Sequence, residues 1–147
     1  MAQFQFFLTP EAEQRGIVFK APRSGDAGFD LPALEECEIR PESLALIRTG
    51  VHVAIPEGWV GLIRDRSSMA MRGLATVAGV IDSSYRGEIK VAIHNLSDAP
   101  VRFVPGDRIA QLVVVPHIVV EQCIQVSTLD ALGSTARGGA GFGSTGN

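Results

Sequence analysis

The chain has 147 residues, 46% of them hydrophobic, and a formal net charge of −3. That length suits one domain that buries a core without metal or disulfide staples. The acidic balance argues against a general binder of nucleic acid or anionic membrane, so any anionic ligand must be met by a few well-placed arginines.

Trp59, Tyr85 and seven Phe are the aromatics, so the apolar weight lies in Val, Ile, Leu and Ala, a bias toward strands. Cys37 and Cys123 stand far apart, without His or Cys neighbours at ligand spacing, and read as two reduced core thiols in preference to a disulfide between them. The N-terminus lacks a basic n-region, and no apolar run is long enough to span a bilayer. A soluble, cytoplasmic protein is the expectation.

In chain order, Gln3 to Leu8 and Ile17 to Lys20 are strand candidates joined by the polar connection Thr9-Pro10-Glu11. Residues 22–28 have loop chemistry and run into Phe29-Asp30-Leu31. Strands are predicted at Cys37 to Arg40, Leu44 to Thr49, Val51 to Ile55 and Trp59 to Arg64, with Pro- and Gly-containing turns between some of them. Arg66 to Gly73 reads as the single short helix, with Ser67 and Ser68 able to cap it and Gly73 as its stop. Leu74 to Val80 leads into a predicted β-hairpin, whose turn is flanked by Asp82 and Tyr85 and whose return strand buries Ile89, Val91 and Ile93. Pro100 to Val104, Ile109 to Val115 and Ile118 to Val126 complete the strands. Many short strands punctuated by Gly and Pro indicate an all-β jelly roll, sandwich or small barrel over residues 1–132. Residues 133–147 are Gly-rich and read as a flexible tail, in which a lone Phe142 and a lone Arg137 suggest closure over a ligand.

Each chemical candidate has a plainer alternative. Asp82 reads as a turn aspartate or as a general base at a pocket edge. Tyr85 reads as cross-strand packing or as a platform under a sugar. Arg66, Ser67 and Ser68 read as a cap or as an anion site. Gln111 lies in an apolar run where alternation turns its amide inward, and Arg108 beside it reads equally as structural. Asp30 reads as a metal contact, direct or through water, or as the partner of an arginine. His52, His94 and His117 share no ligand spacing, and no P-loop or Rossmann glycine pattern is present. Residues alone therefore lead to phosphate-ester or anhydride hydrolysis without naming a substrate.

Five stretches resemble, in order, the five motifs of the trimeric deoxyuridine triphosphatases. They are residues 27–31 (Ala-Gly-Phe-Asp-Leu), 66–70 (Arg-Ser-Ser-Met-Ala), 79–88 (Gly-Val-Ile-Asp-Ser-Ser-Tyr-Arg-Gly-Glu), 106–111 (Gly-Asp-Arg-Ile-Ala-Gln) and 137–146 (Arg-Gly-Gly-Ala-Gly-Phe-Gly-Ser-Thr-Gly). The resemblance implies a jelly-roll-like subunit, a homotrimer with shared active sites, and Mg2+-dependent hydrolysis of dUTP to dUMP and pyrophosphate. That reaction keeps uracil out of DNA and supplies dUMP for thymidylate synthesis. It further implies that Asp82 activates the water attacking the α-phosphorus and that Asp30 reaches magnesium through water. Arg66, Ser67, Ser68 and Gln111 would hold phosphates, while the backbone of Gly79, Val80 and Ile81 reads uracil. Tyr85 would lie under deoxyribose, with Thr76 and Lys90 also at the substrate. From the tail, Phe142 would stack on uracil while Arg137, Gly143, Ser144 and Thr145 complete the grip.

Three positions depart from the family pattern. Ser68 and Ala140 stand at usual Gly positions, and Thr76 stands where some members use Asn near the uracil. Arg-Ser-Ser also resembles the dCTP deaminases of the same fold. Those enzymes continue with an Arg where this chain has Met71, and place a catalytic Glu where it has Ala92. A non-enzymatic jelly-roll binding protein is the third alternative; Asp82, Phe142 and Arg137 together argue against it.

Overall fold

The computed structural model describes residues 3–136 and 138. Two four-stranded antiparallel sheets carry the fold. One holds β1 (Gln5–Leu8), β4 (Leu44–Ala54), β6 (Leu74–Val77) and β8 (Glu88–Asn95), in the order β1-β4-β8-β6. The other holds β2 (Gly28–Pro32), β5 (Trp59–Arg64), β7 (Val80–Ile81) and β10 (Arg108–Pro116), in the order β2-β10-β5-β7. A ribbon of β3 (Cys37–Ile39) and β9 (Val101–Phe103) completes a jelly-roll-like sandwich.

Period-two alternation drives this arrangement. Ile89, Val91 and Ile93 are buried, as predicted, and share one core cluster with Leu31, Ile63, Ile109 and Leu112 of the second sheet. Each such side chain contributes about 1.5–3 kcal/mol relative to exposure. The polar members of the core are paired. Asn95, fully buried, donates through Nδ2 to the carbonyls of Ile39 (3.0 Å) and Ala99 (2.8 Å), and its Oδ1 accepts from the Ser97 amide and hydroxyl.

The structure revises several expectations. Thr9 to Gln14 is not a plain connection: Thr9 caps a short helix α1 (Pro10–Gln14), its hydroxyl accepting from the Ala12 amide at 3.2 Å, with Pro10 in the first turn. Ile17 and Phe19 are buried, yet the segment forms no strand. The two strands predicted at 44–55 are one, interrupted by a bulge between Arg48 and His52. In the predicted short helix α2 (Ser67–Ala70), neither serine caps; Arg66 takes the N-cap position without a side-chain bond.

The predicted hairpin is different in kind. β7 pairs with β5 and β8 pairs with β4 and β6, so the two arms lie in different sheets. Both neighbours of β8, β4 and β6, run antiparallel to it, and residues 78–87 form an arch that leaves the first sheet after β6, touches the second through β7 and returns at β8. Ile118 to Val126 is not a strand in this chain; Ile118, Val120 and Ile124 are largely exposed. Cys37 is half-buried and Cys123 exposed, both free, so only the first resembles a core thiol. Burial, and secondarily Glu35, pushes the Cys37 thiol up from its ordinary value. No helix among the described residues is long and apolar enough to cross a membrane.

Candidate active site

The N-terminal loop, β2, the start of α2 and β10 enclose a cavity of about 780 Å³ lined by Asp30, Arg66, Ser67, Ser68, Arg108 and Gln111. Strand pairing builds it: Asp30 lies opposite Gln111, and Gln111 opposite Arg64 at the end of β5, just before α2. The Asp30 carboxylate accepts from Arg66 Nε at 2.9 Å and from an Arg108 terminal nitrogen at 3.2 Å. Arg66 also donates to the Arg108 carbonyl (3.2 Å), so one acid and two guanidinia form a single cluster. With the side chains half-exposed, the ion pairs contribute little to stability, but they hold both cations at the cavity wall. Gln111 finds its partner in the Asp65 carbonyl, to which Nε2 donates at 2.9 Å.

Lys20 and Arg23 join the same wall and were missed in the sequence. Their signal is two cations in the loop just before the Asp30 segment. Four cationic side chains there face two acidic ones, Asp26 and Asp30, a balance suited to a polyanion.

A second cavity of about 300 Å³ is lined by Ile63, Gly79, Val80, Ile81, Asp82, Tyr85, Glu88 and Lys90. Asp82 is exposed, at the start of a turn closed by the Tyr85 amide donating to the Asp82 carbonyl at 3.0 Å. Arg86 locks that turn by donating to the carbonyls of Ser83 (2.7 Å) and Tyr85 (2.8 Å). β7 is the edge of its sheet, so one side of its backbone is left without a strand partner. Gly79 sits at φ +109°, and a side chain there would also collide with Ile63, so glycine is required where the arch passes against β5. Thr76 lines neither cavity; its amide donates to Asp65 Oδ1 at 2.6 Å. Arg137, Phe142, Gly143, Ser144 and Thr145 lie outside the described residues.

The predicted residues thus fall into two separate groups, one rich in cations and hydroxyls, the other holding an acid, an aromatic and open backbone. Among the described residues no group of three His, Cys, Asp or Glu side chains could hold a metal ion unaided. Of the two acids lining this cavity, Asp26 and Asp30, only Asp30 is ion-paired with the predicted phosphate-holding Arg66. One or two carboxylates beside an anion cavity fit magnesium, which keeps several waters and is otherwise held by substrate phosphates.

A family model described as dUTPase matches residues 14–146. The deoxyuridine 5'-triphosphate nucleotidohydrolase of Mycobacterium tuberculosis (strain H37Rv) is 50% identical over 128 residues, 83% of this chain and 82% of its own. That of Anaeromyxobacter sp. (strain Fw109-5) is 43% identical over 139 residues, covering 90% of this chain and 92% of its own. Among solved structures, a mutant dUTPase of Staphylococcus bacteriophage 80alpha with dUpNHpp superposes with a TM-score of 0.86 at 28% identity, both chains covered in full. With the motifs in order and the family match running through nearly the whole sequence, this chain belongs to the dUTPase family.

Proposed function

We propose that the protein hydrolyses dUTP to dUMP and pyrophosphate, and that its complete site is assembled in a homotrimer. The observation that carries this reading is the preformed Asp30–Arg66–Arg108 cluster in a cavity also lined by Ser67, Ser68 and Gln111. Two guanidinia, two hydroxyls and an amide suit the oxygens of a triphosphate. Asp30 would hold Mg2+ through water, and the ion supplies charge neutralisation and alignment of the phosphate chain.

Asp82 orients a water and accepts its proton as the water oxygen bonds to the α-phosphorus. The bond from that phosphorus to the bridging oxygen breaks, and pyrophosphate leaves. The open edge of β7 offers amides and carbonyls to the uracil edge, and the Tyr85 ring takes the deoxyribose. The tail, residues 133–147, closes the site and excludes water, with Phe142 over the base and Arg137, Gly143, Ser144 and Thr145 at the phosphates.

Sharing between subunits is supported by the separation of the two groups within one chain. It is supported too by uncovered apolar surface: Leu46 and Val77 are both exposed and flank Ala92 in one row across β4, β8 and β6. Ala92 and Met71 stand where a deaminase would need Glu and Arg, and Met71 is almost wholly exposed, so nothing favours cytosine chemistry.

The test is a product assay with Mg2+ on dUTP, UTP, dTTP and dCTP side by side. Pyrophosphate from dUTP, with UTP and dTTP nearly untouched, is the expected result. Ammonia from dCTP would overturn it.

A further inference from the structure

Glu88 belongs to the same run as Asp82 and Tyr85, and none of the roles above uses its side chain. Yet it is the most enclosed partner in the ion-pair chain linking the start of β8 to β4 and α1, its side chain only 13% exposed. Oε1 accepts from the Gly50 amide at 2.8 Å and Oε2 from Arg48 Nε at 3.1 Å. Arg48 in turn reaches Glu11 of α1 at 3.2 Å. The Arg48 guanidinium is held above its ordinary value, first by its hydrogen bond to Glu88 and against partial desolvation.

The bulge explains why a carboxylate is wanted there. Between Arg48 and His52 the β4–β8 ladder loses register, and Gly50, at φ +70°, turns its amide out of the ladder. Glu88 satisfies that amide. The same residue's carbonyl accepts from the Tyr85 hydroxyl at 3.0 Å. The ring reaches it by lying across Gly87, where any side chain would collide with the phenol. Glu88 therefore joins the bulge, through its carboxylate, to the tyrosine, through its carbonyl.

We propose that Glu88 is a positioning residue for the sugar platform: clamped by Gly50 and Arg48, it fixes the carbonyl that fixes the Tyr85 ring, and so the discrimination between deoxyribose and ribose. The proposal rests on the dUTP reading and on Tyr85 as the residue beneath the sugar. Its consequence is specific to the sugar. A loosened ring admits a 2′-hydroxyl, while the cation cluster at Asp30 is untouched, because Glu88 does not line that cavity.

The experiment measures kcat/KM on dUTP and UTP for the wild type, Glu88→Ala, Glu88→Gln, Tyr85→Phe and the Glu88→Ala/Tyr85→Phe pair, with thermal unfolding alongside. Glu88→Ala is expected to lower the dUTP-to-UTP ratio roughly tenfold or more, as small misplacements of a positioned group do. Glu88→Gln, which keeps an acceptor for the Gly50 amide, should recover part of it. In the Tyr85→Phe background the hydroxyl that Glu88 acts through is gone, so removing Glu88 should change the ratio by less than about twofold. An unchanged ratio in folded Glu88→Ala overturns the proposal, as does an equal fall with and without the hydroxyl. If Glu88→Ala does not fold, an unchanged ratio in Glu88→Gln overturns it instead. A wild type inactive on dUTP but active elsewhere sinks the dUTP reading itself and takes this proposal with it, a result separable from the variant ratios.

Discussion

The two cavities are built on opposite principles. The larger relies on side chains: Asp30 holds Arg66 and Arg108 in place before any ligand arrives, and Lys20 and Arg23 add to the positive wall. The smaller relies on backbone: an edge strand, a locked turn and a ring laid across a glycine, with Asp82 the exposed acid at its rim. The first is suited to capturing charge, which tolerates some looseness, because Coulomb attraction falls off slowly. The second is suited to reading shape, which does not. A nucleotide needs both, and one chain sets them apart.

The largest expected effect separates chemistry from capture. Asp82→Asn should lower turnover by roughly 10²–10⁴-fold, the usual worth of a positioned base, while affinity for a non-hydrolysable dUTP analogue measured by calorimetry changes little. A parallel loss of affinity would make Asp82 part of the capturing surface. Next comes Arg66→Ala, which removes a proposed phosphate contact and leaves Arg108 to neutralise Asp30. KM for dUTP should rise roughly tenfold or more, with a smaller change in kcat. On the proposed shared site, mixing this variant with Asp82→Asn after joint unfolding and refolding should restore a fraction of wild-type activity, each chain supplying the half the other lacks. No restoration would place both halves within one chain and break the comparison. The smallest effect on either cavity is expected from Asn95→Ala. It strands the Ile39 and Ala99 carbonyls in the core and should cost about 1–3 kcal/mol in denaturant unfolding, with KM of the folded enzyme unchanged.

What was legible in the sequence was whatever depends on near neighbours. Trp59 to Arg64 is a strand with the predicted bounds, and the inward set Ile89, Val91 and Ile93 follows from alternation alone. α1 was legible and passed over: Thr9 followed by Pro10 is a helix start, but five residues are too few to show periodicity. The arch at 78–87 was not legible. Alternation tells a strand which face to bury and nothing about which strand lies beside it, so two apolar arms on either side of one turn pass for partners. Ile118 to Val126 failed for the related reason that β-rich composition gives a propensity but not a partner, and no strand of this chain pairs with that segment among the described residues. Asp30 and Arg66, 36 positions apart, met only because β2 and the end of β5 flank the same strand, β10.

The arch has a consequence for how the protein comes together. Asp82 and Tyr85 hang between β7, which exists only once β5 is in place, and β8, which needs β4 and β6. Their turn therefore takes shape only when both sheets have formed and docked, a strongly non-local event and a slow one by topology. A chain caught part-way holds the acid without its geometry. The catalytic turn is thus among the last parts of the fold to be defined.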